Sequence, residues 1–134
     1  MPLGPMTSAL TLHAAGNAPP DLAWERYAEL ARWAQWSPQI RSVTASGPRL
    51  VAGLTGTVHP LVGPGVRFTV DHVDEAARSW SWRVRLGPVR LELHHEVLAV
   101  TGGSGTTLRV HGPTPAVLAY APLARWALTR LVRA

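Results

Sequence analysis

The amino-acid sequence predicts an α+β fold: one antiparallel sheet of seven strands packed against a long C-terminal helix. Three observations carry the prediction. Six consecutive segments between residues 40 and 112 carry strand-type patterns and are joined by short, turn-rich links that only antiparallel pairing can accommodate. A helical stretch separates these six from one earlier strand. The chain then closes on an apolar helical pattern over 114–134, the only long apolar helix left to cover the sheet. At 134 residues this is one domain.

Residues 7–14, TSALTLHA, alternate as a first strand. Asn17 and Pro19-Pro20-Asp21 then open a helix, since proline suits a first turn and Asp21 and Glu25 suit the positive end of the helix dipole. Trp24, Tyr27, Ala28 and Ala31 share one face, and Pro38 ends the helical stretch by disfavouring a helical Ser37. Trp33 and Trp36 straddle that junction and are expected to plug the end of the core.

Strands follow at IRSVTAS (40–46), GLTGTVHP (53–60), VRFTVDHVD (66–74), SWSWRVRL (79–86), VRLELHHEVLAV (89–100) and TTLRVHG (106–112). The short, Gly-containing GLTGTVHP reads as an edge or bent strand, which would leave an edge for a second copy and hence a homodimer. TGGSG at 101–105 reads as a hairpin loop, too short and wrongly placed to cradle phosphate. Thr114 and Pro115 open the last helix as cap and first helical residue. Val117, Tyr120, Ala121, Ala124, Leu128 and Leu131 form its apolar side, and Pro122 predicts a kink or a break.

Composition excludes several functions. Charged residues make up 16% of the chain, below the usual ~25%, which favours a compact core over disorder. Thirteen arginines and no lysine give a net charge of +5 without any basic run, and the loosest grouping is Arg125, Arg130 and Arg133. A nucleic-acid binder concentrates positive charge along a face or helix, so nucleic acid is not an expected partner. The absence of cysteine removes disulfides, thiolate metal sites and a cysteine nucleophile. The N-terminal segment lacks a positive start, and no uncharged apolar stretch of about 18 residues occurs, so a cytoplasmic location without stable membrane insertion is expected.

Three segments carry a family resemblance: AWERYAELARWAQWSPQIRSV (23–43), VRFTVDHVDEAARSWSWRV (66–84) and LARWALTRLV (123–132). With the order strand, helix or helix pair, six strands, helix, the chain resembles the SRPBCC helix-grip superfamily. That superfamily includes START lipid-transfer domains, birch-pollen-allergen-like proteins and polyketide cyclases, and the polyketide cyclase/dehydrase-like branch is the nearest match. The resemblance implies a curved sheet gripping the C-terminal helix, with a hydrophobic small molecule or lipid-like ligand held between them. Some members cyclise polyketides there. It carries over no catalytic constellation, and no cofactor is expected.

Strand alternation sorts the middle hairpin into two faces. Trp80, Trp82, Val84 and Leu86 point one way, with Leu91, Leu93, His95 and Val97 from the partner strand. His94 and His95 therefore leave opposite faces and cannot chelate one metal, and no metal site is expected. A tight turn at Gly87-Pro88 sets Trp80 opposite His95, Trp82 opposite Leu93 and Arg83 opposite Glu92. A turn at DEAA brings His72 beside Trp80, giving an inner row His72–Trp80–His95 above Phe68, Trp82, Val84 and Leu93. A one-residue slip in register would break that row.

Two Trp and two His on an otherwise apolar face offer more polar handles than a dry core wants. The expected ligand-binding residues are Phe68, His72, Trp80, Trp82, Leu93 and His95, facing Tyr120, Leu123 and Trp126 on the last helix. His72 and His95 are the inward candidates for proton transfer, since imidazole titrates near neutrality, although Asp71, Glu92 and Glu96 fall on the opposite face and only Asp74, at a strand end, is left to orient either. Three readings follow: a hydrophobic-ligand binder, a cyclase or aromatase-like enzyme using a pocket histidine, and a protein-interaction module with a filled core. A cavity of at least about 300 Å³ separates the first two from the third.

Overall fold

The computed structural model describes residues 6–134. The elements are β1 (Thr7–Gly16), α1 (Pro20–Ala28), α2 (Trp33–Trp36), β2 (Ile40–Ala45), β3 (Thr55–Pro60), β4 (Val66–Asp74), β5 (Ser79–Leu86), β6 (Val89–Val100), β7 (Gly103–Pro113) and α3 (Thr114–Leu131), with a 3-10 turn at Leu30–Arg32 before α2. All seven strands join one antiparallel sheet in the order β1-β7-β6-β5-β4-β3-β2. Its inner face is closed by α3, which packs chiefly on β1 and β7, and by the α1–α2 corner. This is the predicted α+β, helix-grip arrangement.

The helical corner forms because α1 cannot continue past Ala28. Glu29 turns extended (φ −93°, ψ 108°) and bridges Arg49, while Leu50 N–H donates to the Ala28 carbonyl at 2.9 Å. The carbonyls this leaves at the end of α1 need donors. Trp33 Nε1 donates to Tyr27 O and Trp36 Nε1 to Arg26 O, each at 2.8 Å. The two tryptophans are buried at the corner as the sequence indicated, and their indoles also cap the preceding helix.

Ion pairs fasten α1 from outside. Arg49 holds Glu25 through two nitrogens and also grips Glu75 in the β4–β5 turn. The far end of α3 is tied down by Arg26, whose guanidinium donates to the carbonyls of Leu131 and Arg133 at 2.6 Å. A cation at a helix C-terminus also suits the helix dipole.

Four expectations are corrected. GLTGTVHP is not an edge: β3 lies between β2 and β4, and the sheet's edges are β1 and β2, so the basis for pairing through that strand falls away. Gly56 in β3 is required because a Cβ there would lie 2.7 Å from the Phe68 ring. TGGSG is mostly strand, since β7 begins at Gly103 and the turn is only Thr101-Gly102. Thr114 is not a cap, because its hydroxyl bonds Ser8 at 2.7 Å and it stands inside α3. Of the kink or break expected at Pro122, the break does not occur, since α3 runs continuously through it. The carbonyl it leaves without a donor belongs to Leu118, and both residues lie on the solvent-exposed side of the helix.

Candidate functional site

The β5–β6 register is the one expected. Trp80 pairs with His95, Trp82 with Leu93, and Arg83 with Glu92. Trp80, Trp82, Phe68, Leu93 and His95 are all buried on the inner face. Trp33 enters their midst from α2, with ring centroids 5.2–5.8 Å from Trp82, Trp80 and Phe68.

His72 does not join them. The register slips between Val70, opposite Trp82, and His72, opposite Ser81. The unmatched residue is Asp71, a β-bulge that reverses the alternation. Val73 thereby takes the inner place opposite Trp80, while Asp71 and His72 are both exposed and Asp71 binds Arg83 at 2.9 Å. Leu123 and Trp126 also face solvent, being 42% and 53% exposed, because the buried stripe of α3 is Val117, Ala124, Ala127, Leu128 and Leu131. Tyr120 stays half-buried against the core.

The buried polar groups form a chain with one sense of donation. Trp82 Nε1–H donates to His95 Nε2 at 3.0 Å, which assigns the ring proton to Nδ1. His95 Nδ1–H then donates to the Tyr27 hydroxyl at 3.2 Å, Tyr27 to Thr106 Oγ1 at 2.7 Å, and Thr106 to the Glu96 carbonyl at 2.9 Å. Burial holds His95 neutral, pushing its pKa down to about 3, with a smaller electrostatic contribution from neighbouring His94. Burial likewise pushes the Tyr27 hydroxyl up. His95 is thus satisfied at both nitrogens and too weakly basic to take a proton near neutrality. In this arrangement both nitrogens of His95 are engaged in hydrogen bonds, and His72 faces out of the cavity.

One indole breaks the pattern. Trp24 donates to Glu75 at 2.7 Å, and Trp33, Trp36 and Trp82 donate as described. Trp80 Nε1 is buried with no partner, although its ring stacks on His95 at 4.5 Å and 9°. Gln39 Oε1 is the other buried side-chain polar atom without a partner among the described residues. Both residues line the same cavity, which is bounded by Trp33, Trp36, Trp82 and His95 on one side and by Tyr120, Ala124, Ala127 and Leu128 of α3 on the other. Its volume is about 40 Å³. That admits about three waters, at roughly 10–15 Å³ each, and falls well below the ~300 Å³ at which small-molecule pockets begin.

Among the expected ligand residues, Trp80, Trp82, His95 and Tyr120 therefore border one space. Phe68 and Leu93 lie in the core packed around it, and His72 and Leu123 lie outside it. Sequence reasoning missed Tyr27, Thr106 and Gln39. Tyr27 was visible on the apolar face of α1. Nothing in the sequence singled out Gln39, because its role depends on where Pro38 turns the chain.

The described residues contain no group of three or more His, Cys, Asp or Glu able to hold a metal. Among the described residues, no helix is long and apolar enough to cross a membrane.

A curved antiparallel sheet wrapped on a C-terminal helix, with a small aromatic-lined space between them, defines a helix-grip protein. The sequence profile of the family described as polyketide cyclase / dehydrase and lipid transport matches residues 10–134, and the chain belongs to that family. Of the solved chains, 210 match. One, described as "Crystal structure of Ara h 8.0201", superposes with a TM-score of 0.74 at 12% identity, over 94% of this chain and 95% of that one, and so supports the shared fold. A comparison with curated protein sequences returns no match.

Proposed function

We propose that the protein binds a small hydrophobic molecule with one polar end in the space between the sheet and α3. The observation that carries this reading is the lone buried indole N–H of Trp80. Leaving such a donor unpaired costs about 1–3 kcal/mol, and this protein pairs its four other buried indoles. An acceptor on a ligand relieves the cost at Trp80, and the Gln39 amide gives a second polar contact on the same wall.

At about 40 Å³ the space is smaller than such a ligand, so binding in this reading requires the cavity to widen. The movable wall is α3, whose contribution here is Tyr120 and the small side chains Ala124 and Ala127. Its main packing lies elsewhere, on β1 and β7. Membership of the family supports the same class of ligand. The cyclase reading draws no support from His95, whose lone pair is occupied by Trp82. The binding role is taken to be exercised in the cytoplasm.

Calorimetric titration with 2-naphthol, and with naphthalene as the partner lacking an acceptor, tests the reading. Saturable 2-naphthol binding is expected, weakened about fivefold or more by Trp80→Phe, while naphthalene is indifferent to that substitution. Absence of saturable binding to either probe leaves only a filled core and overturns the proposal.

A further inference from the structure

The outer face of the sheet holds a charge pattern that the sequence dispersed. Arg67 pairs with Arg85 across β4–β5, and Arg85 pairs with Arg90 across β5–β6. All three are exposed, and none has a carboxylate within 4 Å among the described residues. Cross-strand neighbours of this kind have Cβ atoms about 5 Å apart, so like charges there repel. The neighbouring row is balanced, Arg83 being bound by Asp71 and opposed to Glu92. A groove of about 600 Å³ runs over the arginine row, with Thr55, Thr57 and Thr69 along its floor.

The row lies beside exposed apolar residues at two tips of the sheet. Arg85 directly precedes Leu86 at the β5–β6 tip, and Arg67 follows the 61–65 connection between β3 and β4. Leu86 is 43% exposed, and Leu61 and Val62 in the neighbouring tip are 60% and 89% exposed. Neither tip carries a charge (LVGPG and LGPV). The tips stand at the same end of the sheet, two strand spacings or about 10 Å apart. The arginines sit one or two residues behind them, at about 3.4 Å per residue.

The geometry points to a docking surface for an anionic lipid bilayer. Leu61, Val62 and Leu86 enter the acyl boundary while Arg67, Arg85 and Arg90 meet lipid phosphates at headgroup depth. Apolar tips backed by cations match an interface that is oily inside and negative outside, and each arginine held at such a surface adds to the attraction. The phosphates also relieve the repulsion within the row. A soluble polyanion offers no counterpart for the apolar tips. The docking end is joined to the cavity wall, since Leu61 N–H donates to the Gln39 carbonyl at 2.9 Å.

Vesicle cosedimentation of the full chain decides the matter independently of any cavity ligand. At low salt the protein is expected to sediment with phosphatidylcholine vesicles containing about 30% phosphatidylglycerol, not with phosphatidylcholine alone, and to be released near 0.5 M salt. The triple variant R67Q/R85Q/R90Q, checked for an unchanged near-ultraviolet circular dichroism spectrum, is expected to partition at least about tenfold more weakly. The pair L61S/V62S is expected to lose binding despite its intact charge. Failure to sediment with anionic vesicles, unchanged partitioning of the triple variant, or pyrophosphate binding in place of vesicle binding would each overturn the assignment.

Discussion

Trp80 and Trp82 are chemically identical, two positions apart on one strand face, and both are buried, yet their indole nitrogens have opposite standing. Trp82→Phe strips His95 Nε2 of its donor and leaves a buried acceptor unpaired, so a loss of about 1–3 kcal/mol in denaturant unfolding is expected beyond any packing change. Trp80→Phe removes a donor that already lacks a partner, so beyond any packing change the expected effect is near zero or stabilising. Equal losses in the two variants would contradict the assigned network. His95 supplies the pH dependence. Its folded pKa lies near 3, below the ordinary value of 6.5, so the unfolded chain binds the proton first. The stability it contributes is complete above pH 6.5 and is lost as pH falls towards 3, on the order of 5 kcal/mol in all. His95→Gln, scanned by thermal unfolding over that window, is expected to flatten the slope.

Among elements, the β5–β6 hairpin was readable because a two-residue turn fixes register, and the inner alternation of SWSWRVRL against VRLELHHEV leaves one consistent pairing. Strand β4 was not readable to the same depth. VRFTVDHVD keeps a regular alternation through His72, and only the paired structure shows that Asp71 is extra and that Val73 takes the inner place. The two ends of α3 differ in the same way. Its buried stripe follows from helical spacing, but its anchoring does not, since the donor to its last carbonyls comes from Arg26 about a hundred residues earlier. Arg26→Ala is expected to cost roughly 1–3 kcal/mol and to raise amide exchange in the last turn of α3, with little effect on β5 and β6. Uniformly raised exchange throughout the sheet would show that Arg26 acts on the whole core instead.

For the molecule as a whole, the order of elements was sufficient for the fold. A strand, a helical corner, six short-linked strands and one long apolar helix leave few other ways to cover a sheet. The volume between sheet and helix was beyond reach, because it depends on how far Trp33 advances from the corner and how closely Tyr120 approaches. The central claim is that the space beneath α3 accepts a polar atom from a ligand at Trp80. Labelling the tryptophans with nitrogen-15 and following their indole N–H resonances during a 2-naphthol titration tests it most directly. The account predicts that the Trp80 signal starts upfield, where unbonded indole protons resonate, and moves downfield to saturation while those of Trp24, Trp33 and Trp36 hold nearly still. A Trp80 signal that is already downfield without ligand, or that stays fixed while naphthol binds, would contradict it.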